Sequence, residues 1–182
     1  MPTDAAIRQL IHASAAKIWP AIAPEMIEAQ VLVESAGDPR AESPAGARGL
    51  LQLMPGTAAE LGLSPEQCWD PARNLAGGIR YLRRQFEAFG ELPNYYDRVS
   101  AALASYNGGR GYVNKALALA REACGAADGT VPGPWQRWDV ASAFLADPRC
   151  LVSGRRPDAA QMLTYVARVR AMFHRLTKGG KP

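Results

Sequence analysis

Apolar residues along this chain recur at helical spacing, and no segment shows a convincing alternation of apolar and polar positions. Asp4 is placed to cap a first helix, and Pro20 ends it near Trp19. Pro24 suits the first turn of a second helix, which Pro39 helps to end. Four longer helices are predicted further along, over 75–89, 97–106, 111–122 and 158–177. The pattern therefore predicts a mainly α-helical fold.

Glycine and proline separate these helices. Residues 38–48 form a loop rich in proline, alanine, glycine and serine, after which Thr57 is expected to cap a short helix. Asn74 is expected to cap the helix that follows it. Residues 124–157 read as an irregular excursion that aromatic side chains pack, with a short helix near 138–146.

Size and composition fit one globular domain. The chain has 182 residues, of which 48% are hydrophobic and 21% charged, and this length allows a sizeable core. No internal repeat or low-complexity linker divides it, so we expect a single domain over 1–182, with its core at about 20–115 completed by the helix at 158–177. The net charge of +4 and the isoelectric point of about 9.1 suit an anionic polymer, and equally a protein without anionic partners.

Cysteine and histidine usage argues against metal or thiol chemistry. The three cysteines, Cys68, Cys124 and Cys150, show no metal-ligand spacing, and neither His12 nor His174 lies in a motif. We expect three buried thiols. A Cys124–Cys150 disulfide is the alternative if the protein matures in an oxidising compartment.

The sequence contains no stretch long enough to be a membrane span. The first twenty residues lack the basic start and the uninterrupted apolar core of a secretory signal. We therefore expect a protein made in the cytoplasm without a signal peptide.

A single carboxyl group lies at the end of an apolar helical stripe. Glu34 shares a helix face with Ile27 and Val31, and we expect that face to point into the core because the other face carries Glu25 and Glu28. Burial disfavours the charged form of a carboxyl group, so the pKa of Glu34 is expected to be raised. A protonated carboxyl group can donate its proton to a glycosidic oxygen near neutral pH. The alternative is a glutamate that turns out to solvent in the last helical turn.

The loop after Glu34 offers further candidate contacts. Its glycines allow a compact turn that brings Gln52 back toward Glu34, where the amide can donate to a sugar oxygen. Ser43 is either a ligand for the substrate or a turn serine that bonds its own backbone. Met54 is either an apolar contact for a sugar ring or part of the core.

Four blocks of residues occur in a fixed order along the chain. They are Glu34–Ser35 with Gly46–Ala58, then Asp70–Leu82, then Ala104–Gly109, and finally Gln161–Val166. Together they resemble the signatures of the soluble-type lytic transglycosylases, the lysozyme-like enzymes that cut the glycan strands of peptidoglycan. The chain departs from that pattern where Leu51 replaces a usual Met and where Gln161-Met162 replaces the usual Glu-Thr pair that lies four residues before Tyr165-Val166.

This resemblance implies a mainly α, lysozyme-like domain with a substrate cleft. It implies that Glu34 acts as the catalytic acid and then as the base. It also implies that Gln52, Tyr106, Asn107 and Tyr165 line the sugar cleft. Tyr106 suits that role independently, because it ends an apolar stripe immediately before a glycine turn; a core tyrosine is the alternative.

The reaction is expected to use one carboxyl group. Asp38, Glu42 and Asp97 are the candidates for a second one, but none lies on an obvious facing element. In the single-acid mechanism Glu34 protonates the leaving oxygen of the MurNAc-β-1,4-GlcNAc bond with assistance from the substrate's N-acetyl group. Glu34 then takes the proton of the C6 hydroxyl, which attacks within the same sugar. The expected product is a 1,6-anhydromuramyl end, formed without a metal or an organic cofactor.

Two other functions remain open from the residues. A muramidase resembling goose-type lysozyme would use water in place of the C6 hydroxyl. A module of the same fold would bind glycan without cutting it, although the set Glu34, Gln52, Tyr106 and Asn107 argues against that.

The expected partner is the glycan strand of peptidoglycan, with no nucleic acid and with the protein as a monomer. The last helix carries several basic residues, namely Arg168, Arg170, Arg175, Lys178 and Lys181. A packed helix with a solvated basic face is the preferred interpretation, and contact with an anionic membrane is the alternative. Without its own signal the protein would reach periplasmic or extracellular peptidoglycan by a phage lysis or virion-associated route, so a phage origin is a hypothesis.

Overall fold

The computed structural model describes residues 4–126 and 132–179, most of which are helical. Within these ranges the α-helices are α1 (Ala5–Ile18), α2 (Pro24–Ser35), α3 (Pro55–Glu60), α4 (Pro71–Glu87), α5 (Tyr95–Gly108), α6 (Arg110–Ala123), α7 (Trp138–Ala141) and α8 (Ala159–Thr177). Short 3-10 helices cover Glu66–Trp69, Pro134–Gln136 and Ser142–Ala146. The described residues pair as strands only in isolated bridges, so the prediction of a mainly α fold is confirmed.

The chain divides into two compact units. The first comprises Met1–Tyr81 together with Ala167–Pro182, and the second comprises Leu82–Val166. Helices α1 to α3 belong to the first unit and α5 to α7 to the second, while α4 and α8 each contain the residues at which the division falls. The single domain expected over 1–182 stays a prediction.

The first unit joins α1 to α2 through a buried ion pair. Asp4 caps α1 as predicted, its Oδ1 accepting from the amide of Ala6 at 2.8 Å. Glu28 of α2 is only 2% exposed, and its Oε1 lies 2.9 Å from Nε of Arg8. The assignment of Glu28 to a solvent face was wrong, because α2 is buried on most of its sides, from Met26 to Val31. A carboxylate this inaccessible needs a cationic partner, and Arg8 provides it.

Two predicted helix starts were wrong for the same reason. Helix α3 begins at Pro55, so Thr57 lies inside it and does not cap it. Helix α4 begins at Pro71, so Asn74 likewise lies within the helix. Proline has a fixed φ and no N–H, which favours it in the first helical turn and moves both starts toward the N-terminus.

In the second unit the irregular excursion is held by aromatic packing, as predicted. Trp135 and Trp138 are both buried, and the guanidinium of Arg121 lies 4.3 Å from the ring centroid of Trp135. Gln136 donates from Nε2 to the carbonyl of Glu91 at 2.7 Å. The short helix expected near 138–146 is present as α7 and the 3-10 helix after it. The part of the excursion at 127–131 lies outside the described residues.

The prediction of buried thiols was right for two cysteines and wrong for the third. Cys68 and Cys150 are buried, Cys124 is exposed, and all three are free. Burial raises the pKa of both the Cys68 and the Cys150 thiol. The alternative Cys124–Cys150 disulfide is not formed.

Helix α8 buries its apolar face and leaves its basic residues exposed. Met162, Val166 and Val169 are buried, while Arg168 and Arg175 are exposed. This arrangement favours the packed-helix interpretation; Lys181 lies outside the described residues. Among the helices of residues 4–126 and 132–179, none is both long and apolar enough to cross a bilayer.

Candidate active site

Glu34 lies in the last turn of α2 and is half-buried. It is thus neither sealed in the core nor turned fully out to solvent. The next residue fixes the end of this helix: Ser35 Oγ lies 2.9 Å from the carbonyl of Leu50 and 3.1 Å from that of Val31. The helix then stops at Ala36, whose φ of 54° is left-handed. The backbone that carries Glu34 is therefore tied directly to the Gly49–Gln52 segment.

The loop after α2 is a compact, internally bonded structure. Arg48 and Leu53 exchange two backbone hydrogen bonds, each 3.0 Å long, and the amide of Gly49 donates to Ala41 at 2.9 Å. Arg48 also pairs with Glu42 at 3.0 Å, and its guanidinium lies 5.3 Å from the ring centroid of Trp69. These contacts give Arg48 a structural role within the loop.

Asn74 fastens this loop to α4, and sequence reasoning missed it. The side chain is fully buried. Its Oδ1 accepts from the amide of Leu51 at 2.8 Å, and its Nδ2 donates to the carbonyls of Arg48 and Cys68 at 2.9 and 3.0 Å. One amide thus satisfies two backbone groups of the loop and one of the 3-10 helix Glu66–Trp69. The signal was the proline at position 71, which makes Asn74 the fourth residue of the helix and so rules it out as a cap.

Glycines allow the loop and α4 to approach closely. Gly49 has a φ of 75°, and a Cβ there would lie 2.4 Å from both Asn74 Nδ2 and the carbonyl oxygen of Cys68. A Cβ on Gly78 of α4 would lie 2.4 Å from Cδ1 of Leu51. Leu51, the departure from the family pattern, is fully buried at this contact.

Gln52 adopts a strained backbone and uses its amide differently from the prediction. Its φ is 43°, a left-handed value that costs free energy for a residue other than glycine. Its Nε2 donates to the carbonyls of Ala41 and Gly49 at 2.9 and 3.0 Å. Because both amide hydrogens are engaged in the loop, the group that Gln52 offers to a ligand is the acceptor Oε1.

The two interpretations given for Ser43 and for Met54 can be compared with their surroundings in the structure. Ser43 Oγ accepts from the amide of Ala47 at 3.0 Å, and the backbone amide of Ser43 donates to the carbonyl of Ala47 at 2.9 Å. These bonds agree with the alternative interpretation, a turn serine, and a contact of Ser43 with substrate stays a prediction. Met54 is 44% exposed immediately before α3, so core packing does not account for it.

In the second unit, Tyr106 and Asn107 lie in the last turn of α5 and are half-buried. Asn107 Oδ1 is buried and has no hydrogen-bond partner among the described residues. A Cβ on Gly108 would lie 2.4 Å from Cγ and Sδ of Met162, so α8 passes directly over this turn. Tyr165 follows on α8 and is 6% exposed. The third and fourth sequence blocks thus lie together.

The three candidates for a second carboxyl group are Asp38, Glu42 and Asp97. Asp38 is exposed and accepts from the amide of Arg40 at 2.8 Å. Glu42 is exposed and paired with Arg48. Asp97 lies in the first turn of α5. Within residues 4–126 and 132–179, no group of three or more His, Cys, Asp or Glu side chains is arranged to hold a metal ion.

Comparison with known proteins gives these residues a family context. Residues 12–127 match the family model of the transglycosylase SLT domain. The chain belongs to the transglycosylase SLT family. The matched range of this SLT domain contains Glu34, the loop that Asn74 fastens, and the Tyr106–Asn107 turn.

The SLT domain has curated relatives in bacteria and in a phage. It is 36% identical over 148 residues to the membrane-bound lytic murein transglycosylase F 2 of Alkalilimnicola ehrlichii, which covers 80% of this chain and 31% of that protein. It is 38% identical over 91 residues to the transglycosylase of Enterobacteria phage PRD1, which covers 50% of this chain and 31% of that protein. The chain spans about a third of the length of these two relatives.

Solved structures match the fold of this SLT domain. The 70 kDa soluble lytic transglycosylase of Escherichia coli aligns with a TM-score of 0.59 and 25% identity, over 94% of this chain and 25% of that one. An inactive mutant of the lytic transglycosylase Slt of Pseudomonas aeruginosa aligns with a TM-score of 0.62 and 21% identity, over 96% and 25%. The mainly α, lysozyme-like fold is therefore confirmed.

Proposed function

We propose that this chain is a lytic transglycosylase that cuts the glycan strands of peptidoglycan. Membership of the SLT family and the similarity to a lytic murein transglycosylase support the reaction class. The observation that carries the proposal is Glu34, a half-buried carboxyl group at the end of α2, whose neighbour Ser35 is bonded to Leu50. The backbone behind the carboxyl group is thereby fixed, as a proton donor requires.

In the first step Glu34 donates its proton to the glycosidic oxygen of the MurNAc-β-1,4-GlcNAc bond. The C–O bond to the leaving sugar breaks, and the N-acetyl carbonyl of the muramyl sugar attacks the anomeric carbon from within the substrate. This step needs a carboxyl group that holds a proton until the glycosidic oxygen takes it.

In the second step the Glu34 carboxylate takes the proton of the C6 hydroxyl. The C6 oxygen forms a bond to the anomeric carbon and displaces the acetamido oxygen, so that the 1,6-anhydromuramyl ring closes. Attack within one sugar has a high effective concentration, and the enzyme returns to its protonated state without a metal, an organic cofactor or a second carboxyl group.

The other site residues are proposed to bind the sugars. Gln52 presents Oε1 to a hydroxyl or N–H group, and Met54 contacts the apolar face of a ring. Asn107 has a buried Oδ1 without a partner among the described residues, which suits a donor on the substrate. Tyr106 and Tyr165 supply aromatic surface with a polar end. Ser43 contributes by shaping the turn.

Substituting Glu34 by Gln tests the assignment. Glu34→Gln keeps the shape of the side chain but removes the proton, so lysis of purified peptidoglycan sacculi is expected to fall at least about a thousandfold, as loss of an acid–base group predicts. Glu25→Gln is the matched control, because Glu25 lies in the first turn of the same helix. Normal lysis by Glu34→Gln, with an unchanged circular dichroism spectrum, would remove Glu34 from the mechanism.

We also propose that the protein acts as a monomer on periplasmic or extracellular peptidoglycan and does not bind nucleic acid. A phage lysis or virion-associated route to that compartment agrees with the similarity to the PRD1 transglycosylase. Sedimentation velocity gives the oligomeric state, and a dimer at micromolar concentration would overturn that part.

A further inference from the structure

A tight hairpin turn lies at the end of the irregular excursion, just before α8. Val152 and Arg155 exchange two backbone hydrogen bonds, each 3.0 Å long. The two residues between them, Ser153 and Gly154, have φ values of 50° and 74°. Two central residues at positive φ characterise a two-residue turn of type I′, which is the rigid connection of short hairpins. The turn therefore presents Arg155 and Arg156 from a fixed backbone.

This hairpin packs against the segment that follows Asn107. A Cβ on Gly111, at the start of α6, would lie 3.3 Å from both Cγ atoms of Val152. After the hairpin the chain enters α8, where Met162 packs against Gly108. Val152 of the hairpin and Met162 of α8 thus both contact the Gly108–Gly111 segment, which directly follows Tyr106 and Asn107. Arg155 and Arg156 lie between these two contact residues along the chain.

The charge of the hairpin is not neutralised. Arg155 and Arg156 are both exposed, and neither forms an ion pair within the described ranges 4–126 and 132–179. Arg149, by contrast, is paired with Asp147 and Glu122 at 3.0 and 3.2 Å.

The nearest acid after the hairpin, Asp158, caps the start of α8 and forms no ion pair with either arginine among the described residues. Asp158 uses its Oδ1 to accept from the amide of Gln161 at 2.9 Å. Arg110, also exposed, opens α6 and adds a third cation on this side of the unit.

We propose that Arg155 and Arg156 bind carboxylates of the peptide stem that branches from the muramyl sugar. This inference rests on the proposed function, because it names the part of peptidoglycan that extends beyond the sugars at Tyr106 and Asn107. Stems carry carboxylates on their side chains and at their end, and guanidinium groups bind carboxylates in a bidentate, charge-assisted manner. The hairpin therefore makes the enzyme selective for glycan that still bears charged stems.

The test compares binding to two forms of the substrate. Native sacculi are compared with sacculi whose stem carboxylates have been converted to amides with carbodiimide and ammonium. Binding is measured by co-sedimentation in a Glu34→Gln background, so that the polymer stays intact. We expect the background protein to bind native sacculi about tenfold more tightly than amidated ones, the scale of one or two charge-assisted hydrogen bonds.

Three double variants show whether the preference for native sacculi depends on Arg155 and Arg156 or only on the net positive charge of the protein. Arg155→Ala/Arg156→Ala is expected to lose the preference for native sacculi while binding amidated sacculi as before, and Arg155→Lys/Arg156→Lys to recover part of it. Arg168→Ala/Arg175→Ala removes the same charge from the exposed face of α8 and is expected to keep the preference. Equal losses in both double alanine variants, or an unchanged preference in Arg155→Ala/Arg156→Ala, would overturn the proposal.

Binding to the stems and cleavage of the glycan are measured separately. Binding that depends on the stems and on the two arginines supports the site even if the protein with an intact Glu34 releases no muropeptides. If that protein cleaves native and amidated sacculi with the same kcat/KM, the stem assignment is wrong while the lytic activity stands.

Discussion

Among single residues, Asn74 has the largest part in holding the loop that follows Glu34, because its buried amide bonds three backbone groups. Asn74 satisfies a backbone N–H of Leu51 and the carbonyls of Arg48 and Cys68. Buried backbone groups without a partner are costly, so the loop cannot keep its present shape if this amide is removed.

We expect Asn74→Ala to lower the free energy of unfolding by about 3 kcal/mol, the cost of leaving several buried polar groups unsatisfied. Lysis of sacculi should fall as well, because Gln52 and Leu50 lie in the loop that is released. Urea denaturation measures the stability. Asn114→Ala, at an exposed position of α6, is the control and should stay within about 0.5 kcal/mol of the parent protein. Similar values for the two variants would contradict the role of Asn74.

Alanine substitutions at Gly49 and Gly62 distinguish the stability cost of backbone strain from the cost of a steric clash. Gly49 and Gly62 have φ values of 75° and 72°. A Cβ on Gly49 would lie 2.4 Å from Asn74 Nδ2, whereas one on Gly62 would meet nothing within 4 Å. Gly62→Ala should therefore cost about 1 kcal/mol from strain alone, and Gly49→Ala about 3 kcal/mol because overpacking is added. Thermal unfolding of both variants checks this, and equal losses would show that the close approach is unimportant.

Single-residue roles were the least predictable from the sequence. Ser43 and Gln52 lie where the motif predicts a loop, but their hydrogen-bond partners are backbone groups of that same loop. Glu28 was assigned to solvent because its partner Arg8 lies on another helix, twenty positions away. Spacing within one helix carries no information about such a partner.

Among the elements, the last turn of α2 is joined by Ser35 to the loop that contains Leu50. Its hydroxyl lies 2.9 Å from the carbonyl of Leu50. Removing it frees the last turn of the helix, and Glu34 with it, from the loop. The loss of one hydrogen bond costs about 1 kcal/mol of stability, but misplacement of the acid should cost more in the rate.

We therefore expect Ser35→Ala to lower kcat for sacculus lysis about tenfold while the free energy of unfolding falls by only about 1 kcal/mol. Ser100→Ala is the matched control, since Ser100 is a buried helical serine whose Oγ bonds the carbonyl of Tyr96 at 2.8 Å. It should show a similar loss of stability and an unchanged rate. Equal rates in Ser35→Ala and Ser100→Ala would show that Ser35 does not position Glu34.

Helices were the most predictable elements, because proline, a capping aspartate and apolar spacing act locally. Pro24 opens α2 and Asp4 caps α1 as the sequence indicates. The errors at Thr57 and Asn74 came from preferring a capping side chain to the proline two residues before Thr57 and three residues before Asn74, where proline itself opens the helix.

At the scale of the whole molecule, thiol accessibility reports on the packing of both units. Burial raises the pKa of the thiols of Cys68 in the first unit and Cys150 in the second, so each stays protonated to a higher pH than a free cysteine. Cys124 is exposed. Since the thiolate is the reactive form, iodoacetamide near pH 8 should modify Cys124 alone in the folded protein.

Peptide mass spectrometry before and after unfolding in urea checks this. All three cysteines should react once the protein is unfolded under reducing conditions. Rapid modification of Cys68 or Cys150 in the folded protein would contradict the packing described here, and recovery of a Cys124–Cys150 disulfide would contradict the free thiols.

In the proposed reaction Glu34 cuts the strand by closing an anhydro ring within the substrate. Digestion of sacculi in water enriched in heavy oxygen, followed by mass spectrometry of the released muropeptides, distinguishes this reaction from hydrolysis. We expect 1,6-anhydromuramyl ends that carry no heavy oxygen, and none of these ends from Glu34→Gln. Reducing ends labelled with heavy oxygen would contradict this reaction and identify a muramidase instead.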